Sequence, residues 1–266
     1  MGNYFSSQNI ETTVSHNKYG WKRDKPDYRD HKHIFYRTYY NNNVDLRDKC
    51  PPVYNQGHLG SCTANAIAAA YEFDQMKQNE QFPFCPSRLF IYYNERSMEG
   101  NISTDSGAEI RDGMKSINTT GVCPEKYWPY DINKFTEKPS EDCYEIAQNH
   151  KTVKYKRLSQ TIEQMQECLK QGYPFVFGFT VYSSFESPEV AETGIMTMPE
   201  EDDQVKGGHA VMAVGYDNNK KVFIIRNSWG VEWGDNGYFY MPYAYISNSN
   251  LASDFWTIQL VNDKTT

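Results

Sequence analysis

The pattern of apolar and polar positions changes along the chain. Apolar residues recur at helical spacing in four segments, which predict four helices. These are ANAIAAAYEFDQMK, SRLFIYYNERSM, GAEIRDGMKSI and TIEQMQECLKQG, the last ended by its glycine. After Pro174 the pattern predicts strands in PFVFGFTVY, HAVMAVGYD, KVFIIRNSW, GYFYMPY and DFWTIQLV, with DNNKK as a hairpin turn. Helices followed by antiparallel strands predict an α+β chain whose two layers leave a cleft between them.

The beginning of the chain differs from the rest. Residues 1–43 are polar and rich in Asn, Asp, Lys and Tyr, with little periodic apolar character. We therefore expect an N-terminal arm over residues 1–43 and a folded domain over residues 44–266. Trp21, Pro26 and Tyr28 are the candidate anchors of this arm. They would fasten it either across the cleft, where it would inhibit, or on the back of the helical layer as packing.

Composition and charge argue against several classes of function. The 266 residues are 39% hydrophobic and 23% charged, and the net charge of -7 argues against nucleic-acid binding. No apolar run is long enough for a membrane span, and the first residues lack the apolar stretch of a secretory signal. We expect an intracellular monomer, in the cytoplasm or a virion. The opening MGNYFS fits the myristoylation pattern on Gly2, so membrane contact is expected only if Gly2 is acylated.

The cysteines do not have the spacing of a metal site. They are scattered and contain no C-x-x-C pair, so no zinc site, other metal or cofactor is predicted. His31 and His33 form an H-x-H pair, for which a solvated turn is the favoured setting. Disulfides are left open for the five cysteines other than Cys62, which are Cys50, Cys85, Cys123, Cys143 and Cys168.

Cys62 lies where a glycine-rich loop meets an alanine-rich helical run, in NQGHLGSCTANAIAAAY. A helix start supplies unpaired backbone N–H groups and the positive end of the helix dipole, and both stabilise a thiolate. Gly57, Gly60 and Ser61 leave the sulfur approachable. A structural cysteine would more often lie inside a helix or strand, so this position favours a nucleophile, with packing as the alternative.

A base and its orienting partner follow later in the chain. His209 begins a predicted strand in GGHAVMAVGYD, and Asn227 lies in IIRNSWGVEWGDNGY. Asn227 would accept from one imidazole nitrogen while the other nitrogen faces Cys62, and Trp229 would cover that hydrogen bond. Gln56, on the loop before Cys62, is the candidate side-chain donor to an oxyanion, beside the Cys62 backbone N–H.

Together these blocks resemble the papain family of cysteine proteases, including the cathepsins. The motifs are Q-G-x-x-G-S-C, G-G-H-A-V-x-A-V-G-Y and N-S-W-G-x-x-W-G-x-x-G-Y. The resemblance implies an α+β, papain-like two-lobe fold with a helical left lobe, an antiparallel β-barrel-like right lobe and the active site between them. It implies Cys62 as nucleophile and His209 as general base and acid. Asn227 would orient His209, and Gln56 would stabilise the oxyanion.

The resemblance also implies residues that bind substrate. Gly107 would pair with the substrate backbone, and Trp229 would lie beside the bound chain. Ala210 would line the main specificity pocket, with Ser253 or Asp254 at its floor.

Two positions depart from the family pattern. Leu59 stands where a cysteine is usual and Thr63 where an aromatic is usual. The disulfide beside the active site is therefore expected to be absent. The usual long helical pro-segment is also missing. These departures favour members from bacteria or large viruses over secreted cathepsins.

We therefore expect a cysteine endopeptidase that acts on protein or peptide substrates, made as a zymogen if the arm inhibits. The alternatives are a catalytically silent peptide-binding relative and an amidase or acyl transferase on the same fold. His58 is the rival base, and we expect it on the loop surface. The acidic run EEDD, residues 200–203, suggests basic substrates, with a solvated loop as the alternative.

Overall fold

The computed structural model describes residues 18–30, 32–34, 43–78 and 82–263. Its helices are α1 (Cys62–Lys77), α2 (Arg88–Glu99), α3 (Ile110–Thr119), α4 (Glu141–Ala147), α5 (Ile162–Lys170), α6 (Pro188–Thr193) and α7 (Tyr243–Ile246). Its strands are β1 (Trp21–Lys22), β2 (Lys32–His33), β3 (Val44–Asp45), β4 (Ala108–Glu109), β5 (His150–Leu158), β6 (Phe175–Tyr182), β7 (Val205–Asp217), β8 (Val222–Arg226), β9 (Tyr238–Pro242) and β10 (Ala252–Asp263). Short 3-10 turns span Arg47–Lys49, Ile132–Lys134 and Ser183–Glu186. Gly2 and His31 lie outside the described residues.

Helix α1 forms the centre of the fold. It packs against α2 and α3 on one side and against β7 and β10 on the other. Almost all of its residues are buried, including the alanines of the run AIAAAY. Small side chains let both layers approach the helix, and a helix enclosed on all sides needs no polar face. Its first residue, Cys62, therefore lies at the boundary between the helical layer and the sheet.

The ends of the other helices follow local sequence signals. Helix α2 begins after Ser87, whose Oγ accepts from the Phe90 backbone N–H at 3.1 Å, and it ends at Gly100 with a φ of 74°. Helix α5 is followed by Gly172, whose φ is 77° and whose N–H donates to Leu169 O at 2.9 Å. The predicted glycine stop of this helix is thus confirmed.

The second layer is a sheet of mainly antiparallel strands. Its order is β2-β5-β10-β6-β7-β8-β9, and β3 pairs with β7. Strands β6 and β7 are aligned so that Phe179 lies opposite His209 and Gly178 opposite Ala210. No pairing within the described ranges closes the sheet into a barrel. This register places His209 and Ala210, the first buried residues of β7, beside the N-terminus of α1.

The prediction of an α+β, two-lobe fold is confirmed. The four predicted helices correspond to α1, α2, α3 and α5, and the five predicted strands to β6 through β10. Strand β5 was not predicted, because its sequence HKTVKYKRL is rich in positively charged residues, as in a surface segment. Pairing with β10 along its length forms it. No helix in the described part of the chain is long and apolar enough to cross a membrane.

Candidate active site

Cys62 begins α1 directly after the loop 55–61. This loop is tied to the sheet layer, because the Gln56 backbone N–H donates to Ser228 O at 2.8 Å and Asn55 forms a bridge with Trp229. The Ala210 N–H donates to Cys62 Sγ at 3.4 Å. The candidate nucleophile therefore lies where the helical layer meets the strand that carries His209.

His209 and Asn227 form a buried hydrogen-bonded pair. The His209 Nε2 and Asn227 Oδ1 atoms are 2.8 Å apart. The Ser228 N–H donates to the same Oδ1 at 2.8 Å, so this oxygen is an acceptor and we assign the hydrogen to Nε2. His209 Nδ1 has no hydrogen-bond partner among the described residues. With the hydrogen on Nε2, Nδ1 is the unprotonated nitrogen of the neutral imidazole.

Trp229 covers the His209–Asn227 pair. Its ring stacks on the His209 imidazole, with centroids 4.9 Å apart and planes 28° apart. Phe185 and Trp233 pack on Trp229 in turn, at centroid distances of 5.7 Å and 5.0 Å. This aromatic cover keeps water from the hydrogen bond between His209 and Asn227, which strengthens it.

Gln56 is buried and its amide is fixed in orientation. Its Oε1 accepts from Ser228 Oγ at 2.6 Å, so Nε2 is directed away from Ser228. Nε2 donates to Leu59 O at 2.8 Å and to Lys18 O at 3.0 Å. One amide hydrogen thus meets a peptide carbonyl in the cleft, which is the contact that an oxyanion donor makes.

Residues 18–24 of the arm lie in the cleft over these groups. The Gly20 backbone lies beside the Cys62 sulfur, and Gly20 O accepts from the Ala108 N–H at 2.7 Å. The fit is close, because a Cβ added to Gly20 would lie 1.6 Å from Gly60 O. Strand β1 pairs with β4 in parallel immediately afterwards. The arm therefore crosses the cleft and does not lie on the back of the helical layer.

Trp21 fills a pocket formed by β6, β7 and β10. A Cβ on Gly178 would lie 1.9 Å from Trp21 Cε2, and one on Gly208 would lie 2.7 Å from Trp21 Cε3, so the two glycines make room for the indole. Trp21 Nε1 donates to Asp254 Oδ2 at 3.2 Å. Asp254 is buried, and Ala210 lies opposite Gly178 in the sheet. Both residues were predicted to belong to a specificity pocket.

Comparison with known proteins identifies the family to which this geometry belongs. The family described as papain family cysteine protease matches residues 40–257. The chain belongs to the papain family of cysteine proteases. An uncharacterized peptidase C1-like protein of Acanthamoeba polyphaga mimivirus is 54% identical over 217 residues, which are 79% of this chain and 70% of that protein.

A solved structure and a plant relative support the same assignment. Xylellain, a cysteine protease from Xylella fastidiosa, superposes with a TM-score of 0.87 at 45% identity, covering 93% of this chain and 98% of that one. The oryzain beta chain of Oryza sativa is 30% identical over 218 residues, which are 74% of this chain and 41% of the rice protein. The chain thus spans less than half of that relative. The predicted likeness to bacterial and large-virus members of the papain family is confirmed.

The pKa values of Cys62 and His209 in this papain-family site are shifted mainly by burial. Burial raises the pKa of the Cys62 thiol to about 12, although the N–H groups of Ala210 and Gly20 act in the opposite direction. Burial lowers the pKa of His209 to about 4, opposed by the bond to Asn227 and reinforced by the charge of Lys18. A depressed thiol pKa was expected from the helix start. The shift has the opposite sign because the Cys62 sulfur is fully buried and has lost its hydration.

A cluster of five charged residues fastens the arm beyond the pocket. Arg111 NH2 and Arg157 NH1 contact Asp30 Oδ2 at 2.6 Å and 2.8 Å, and Arg157 NH2 contacts Asp254 Oδ1 at 3.0 Å. The Arg111 N–H donates to Asp24 Oδ1 at 3.0 Å, and the Asp24 N–H donates to Asp254 Oδ2 at 2.8 Å. We call Asp24, Asp30, Arg111, Arg157 and Asp254 the anchor cluster. Sequence analysis missed it, because charges in a polar arm are normally solvated.

The remaining expected site positions are distributed around the cleft. Gly107 lies against the arm, where an added Cβ would be 2.0 Å from Gly20 O, but the backbone donor to the arm is Ala108. His58 is exposed on its loop, as predicted. Thr63, which stands in place of the family aromatic, donates to Glu95 Oε2 at 2.8 Å.

Two of the three expected arm anchors are wrong. Trp21 is the anchor in the pocket, whereas Tyr28 is 96% exposed and Pro26 is exposed as well.

All six cysteines lie in described segments, and each is a free thiol. Within the described residues no group of His, Cys, Asp and Glu is arranged to hold a metal ion. The acidic run 200–203 is largely exposed, and Asp203 accepts from Ser183 Oγ and the Ser184 N–H instead of facing the cleft groups.

Proposed function

We propose that the chain is a cysteine endopeptidase that uses Cys62, His209, Asn227 and Gln56. The observation that carries the proposal is the His209–Asn227 pair, which leaves Nδ1 free on a residue whose neighbour Ala210 contacts the Cys62 sulfur. Three side chains of the types that serve as nucleophile, base and orienting residue meet from α1, β7 and the segment after β8, which supports the proposal.

The reaction follows from these positions. His209 Nδ1 takes the thiol proton as Cys62 Sγ forms a bond to the peptide carbonyl carbon, and Gln56 Nε2 with the Cys62 N–H stabilises the oxygen that becomes negative. The proton on Nδ1 passes to the departing amine as the C–N bond breaks, leaving a thioester. Water then attacks the thioester and gives its proton to Nδ1. The proton returns to sulfur as the acid product leaves.

The proposal includes a latent state in which the arm inhibits this chemistry. Lys18 O accepts a hydrogen bond from the Gln56 side-chain amide, Gly20 covers the Cys62 sulfur, and Trp21 fills the pocket beside Ala210. In this state Cys62 is a neutral thiol and His209 is a neutral imidazole, so the competent thiolate is scarce. Removal of the arm admits water and lowers the cost of charge on both groups.

Covalent labelling tests the proposed function. An epoxysuccinyl inhibitor of cysteine proteases should modify Cys62, identified by mass spectrometry, once the arm is displaced. Hydrolysis of peptides inside their sequence separates an endopeptidase from an amidase or acyl transferase, which would act on small amides or transfer the acyl group. A folded, arm-displaced protein that is neither labelled nor active would support the silent peptide-binding relative instead.

We expect Gln56→Ala to lower kcat by a factor on the order of 10² to 10³, the usual loss for one oxyanion donor. The measurement is peptide hydrolysis in an arm-displaced variant. Because Gln56 also accepts from Ser228 Oγ, the melting temperature must be compared with that of the parent. An unchanged kcat would mean that backbone donors suffice.

We expect docking of the arm to weaken as the pH rises from about 4 to about 7. Burial, reinforced by the negative charge of Asp254, raises the pKa of Asp24 from 3.8 to about 7, against the N–H groups of Arg111 and Trp256. A solvated Asp24 in the released arm has its ordinary pKa near 3.9. Docking therefore takes up a proton, and its stabilising effect is lost as the pH rises through this window.

This pH dependence is tested by measuring the labelling rate of Cys62 in the wild-type chain and in Asp24→Asn and taking the ratio of the two rates. The ratio cancels the effect of thiol ionisation, because both proteins carry the same Cys62. The asparagine variant stays neutral and keeps the size of the side chain. We expect the ratio to be near one at acid pH and to increase severalfold towards neutral pH. A flat ratio would contradict the assignment. The other charged members of the anchor cluster, Asp30, Arg111, Arg157 and Asp254, are unchanged in both proteins.

A further inference from the structure

Lys18 of the arm occupies a site with the contacts of a cation receptor. Its Nζ lies 4.0 Å from the centroid of the Trp229 ring and 3.4 Å from Glu186 Oε1. The two charged side chains are 34% and 32% exposed, so the pair is partly withdrawn from water. An aromatic face together with a carboxylate attracts ammonium and guanidinium groups.

The receptor belongs to the enzyme and not to the arm, since both of its groups are held by the folded domain. Phe185, the neighbour of Glu186, is buried and packs on Trp229 and Phe239 at centroid distances of 5.7 Å and 5.0 Å. Asp203 accepts from Ser183 Oγ at 2.7 Å and from the Ser184 N–H at 2.9 Å, which fixes the turn that carries Glu186. The folded domain therefore sets the backbone positions of Glu186 and Trp229, while in the docked state the Glu186 carboxylate also accepts from the hydroxyl of Tyr19 in the arm.

The site lies next to the reacting groups. Trp229 stacks on His209, and the backbone carbonyl of Lys18 accepts from Gln56. A bound peptide residue whose carbonyl accepts from Gln56 can therefore place its side chain over the Trp229 ring and reach Glu186, as Lys18 does. Trp21 lies in the other pocket, against Gly178 and Asp254, so the two binding sites are distinct.

We propose that Glu186 and Trp229 form a specificity site that selects substrates with a Lys or Arg side chain next to the scissile bond, on the Trp229 side of Cys62. This inference rests on the proposed function, because it needs a cleft that binds and cuts peptides. The site replaces the exposed run 200–203 as the source of a preference for basic substrates. Asp203 of that run contributes by holding the turn of Glu186.

The test uses the full chain with the substitution Gly20→Val, which displaces the arm without touching the site. A peptide library is cleaved and the cut positions are mapped by mass spectrometry. The enriched basic position is then compared in two matched peptides, one with Lys and one with Met, which has similar length and no charge. We expect kcat/KM to favour the Lys peptide by roughly five- to tenfold at low salt, and the preference to decrease as salt is added.

Glu186→Gln in the same background should reduce this ratio to near one. Asp202→Asn, on the exposed run, is the matched control and should leave the ratio unchanged. If both peptides are cut equally by the parent, or if Glu186→Gln keeps the Lys preference, the inference is wrong and the proposed function stands. If no peptide is cut and Cys62 is not labelled, the proposed function itself fails.

Discussion

Gly20→Val in the full chain is expected to accelerate inhibitor labelling of Cys62 and peptide hydrolysis by roughly ten- to hundredfold. The reason is steric, because a Cβ at residue 20 would lie 1.6 Å from the backbone oxygen of Gly60. Overpacking of this kind typically costs about 1–3 kcal/mol, and each 1.4 kcal/mol changes an equilibrium tenfold. The released arm carries no such clash, so the substitution disfavours the docked state alone. Labelling rates at one fixed pH give the measurement.

A second variant and a control make this prediction decisive. Trp21→Ala empties the pocket between Gly178 and Asp254 and weakens docking by a different route, with loss of apolar contact and of the bond to Asp254. Tyr28→Ala changes the same arm at a side chain that is 96% exposed, and it should leave the labelling rate at the level of the wild type. Wild-type labelling rates in both Gly20→Val and Trp21→Ala would exclude the arm as the inhibitor.

Cys62→Ala, introduced beside Gly20→Val, is expected to lower kcat for peptide hydrolysis by a factor on the order of 10⁴ to 10⁶. This is the loss seen when one member of a catalytic triad is removed, because the covalent route is closed and only binding and the oxyanion donors remain. The rate is measured under single-turnover conditions with a fluorescence-quenched peptide substrate. The substitution removes one sulfur atom at the start of α1, so the melting temperature should change by only a few degrees.

The matched control for this loss is Cys50→Ala. Cys50 is a partly buried free thiol at the end of the 3-10 turn Arg47–Lys49, and its sulfur donates to Leu46 O at 3.4 Å. We expect it to retain the parent activity and to leave labelling at Cys62 unchanged. Activity that survives Cys62→Ala, or that disappears in Cys50→Ala with the fold intact, would contradict the assignment of the nucleophile.

The sequence by itself was sufficient for the principal elements and for the side chains that the fold brings together at the cleft. Helices with apolar residues at regular spacing and strands with continuous apolar runs are specified locally, so α1 and β7 could be predicted. The helix start at Cys62 and the motifs around His209 and Asn227 follow from residues close to each other in sequence. The weakest assignments were those that depend on partners far away in the chain. Strand β5 forms against β10, although its own sequence is that of a surface segment.

The position of the arm was decided by the tertiary structure alone. From the sequence, a tryptophan in a polar segment fits the cleft and the back of the helical layer equally well, since both bury an indole. The pocket for Trp21 exists because Gly178 and Gly208 leave room on adjacent strands and Asp254 offers a carboxylate from a third. These groups meet only when the sheet has formed. The physical reason is that space and charge complementarity belong to surfaces assembled from distant segments, which local sequence patterns do not encode.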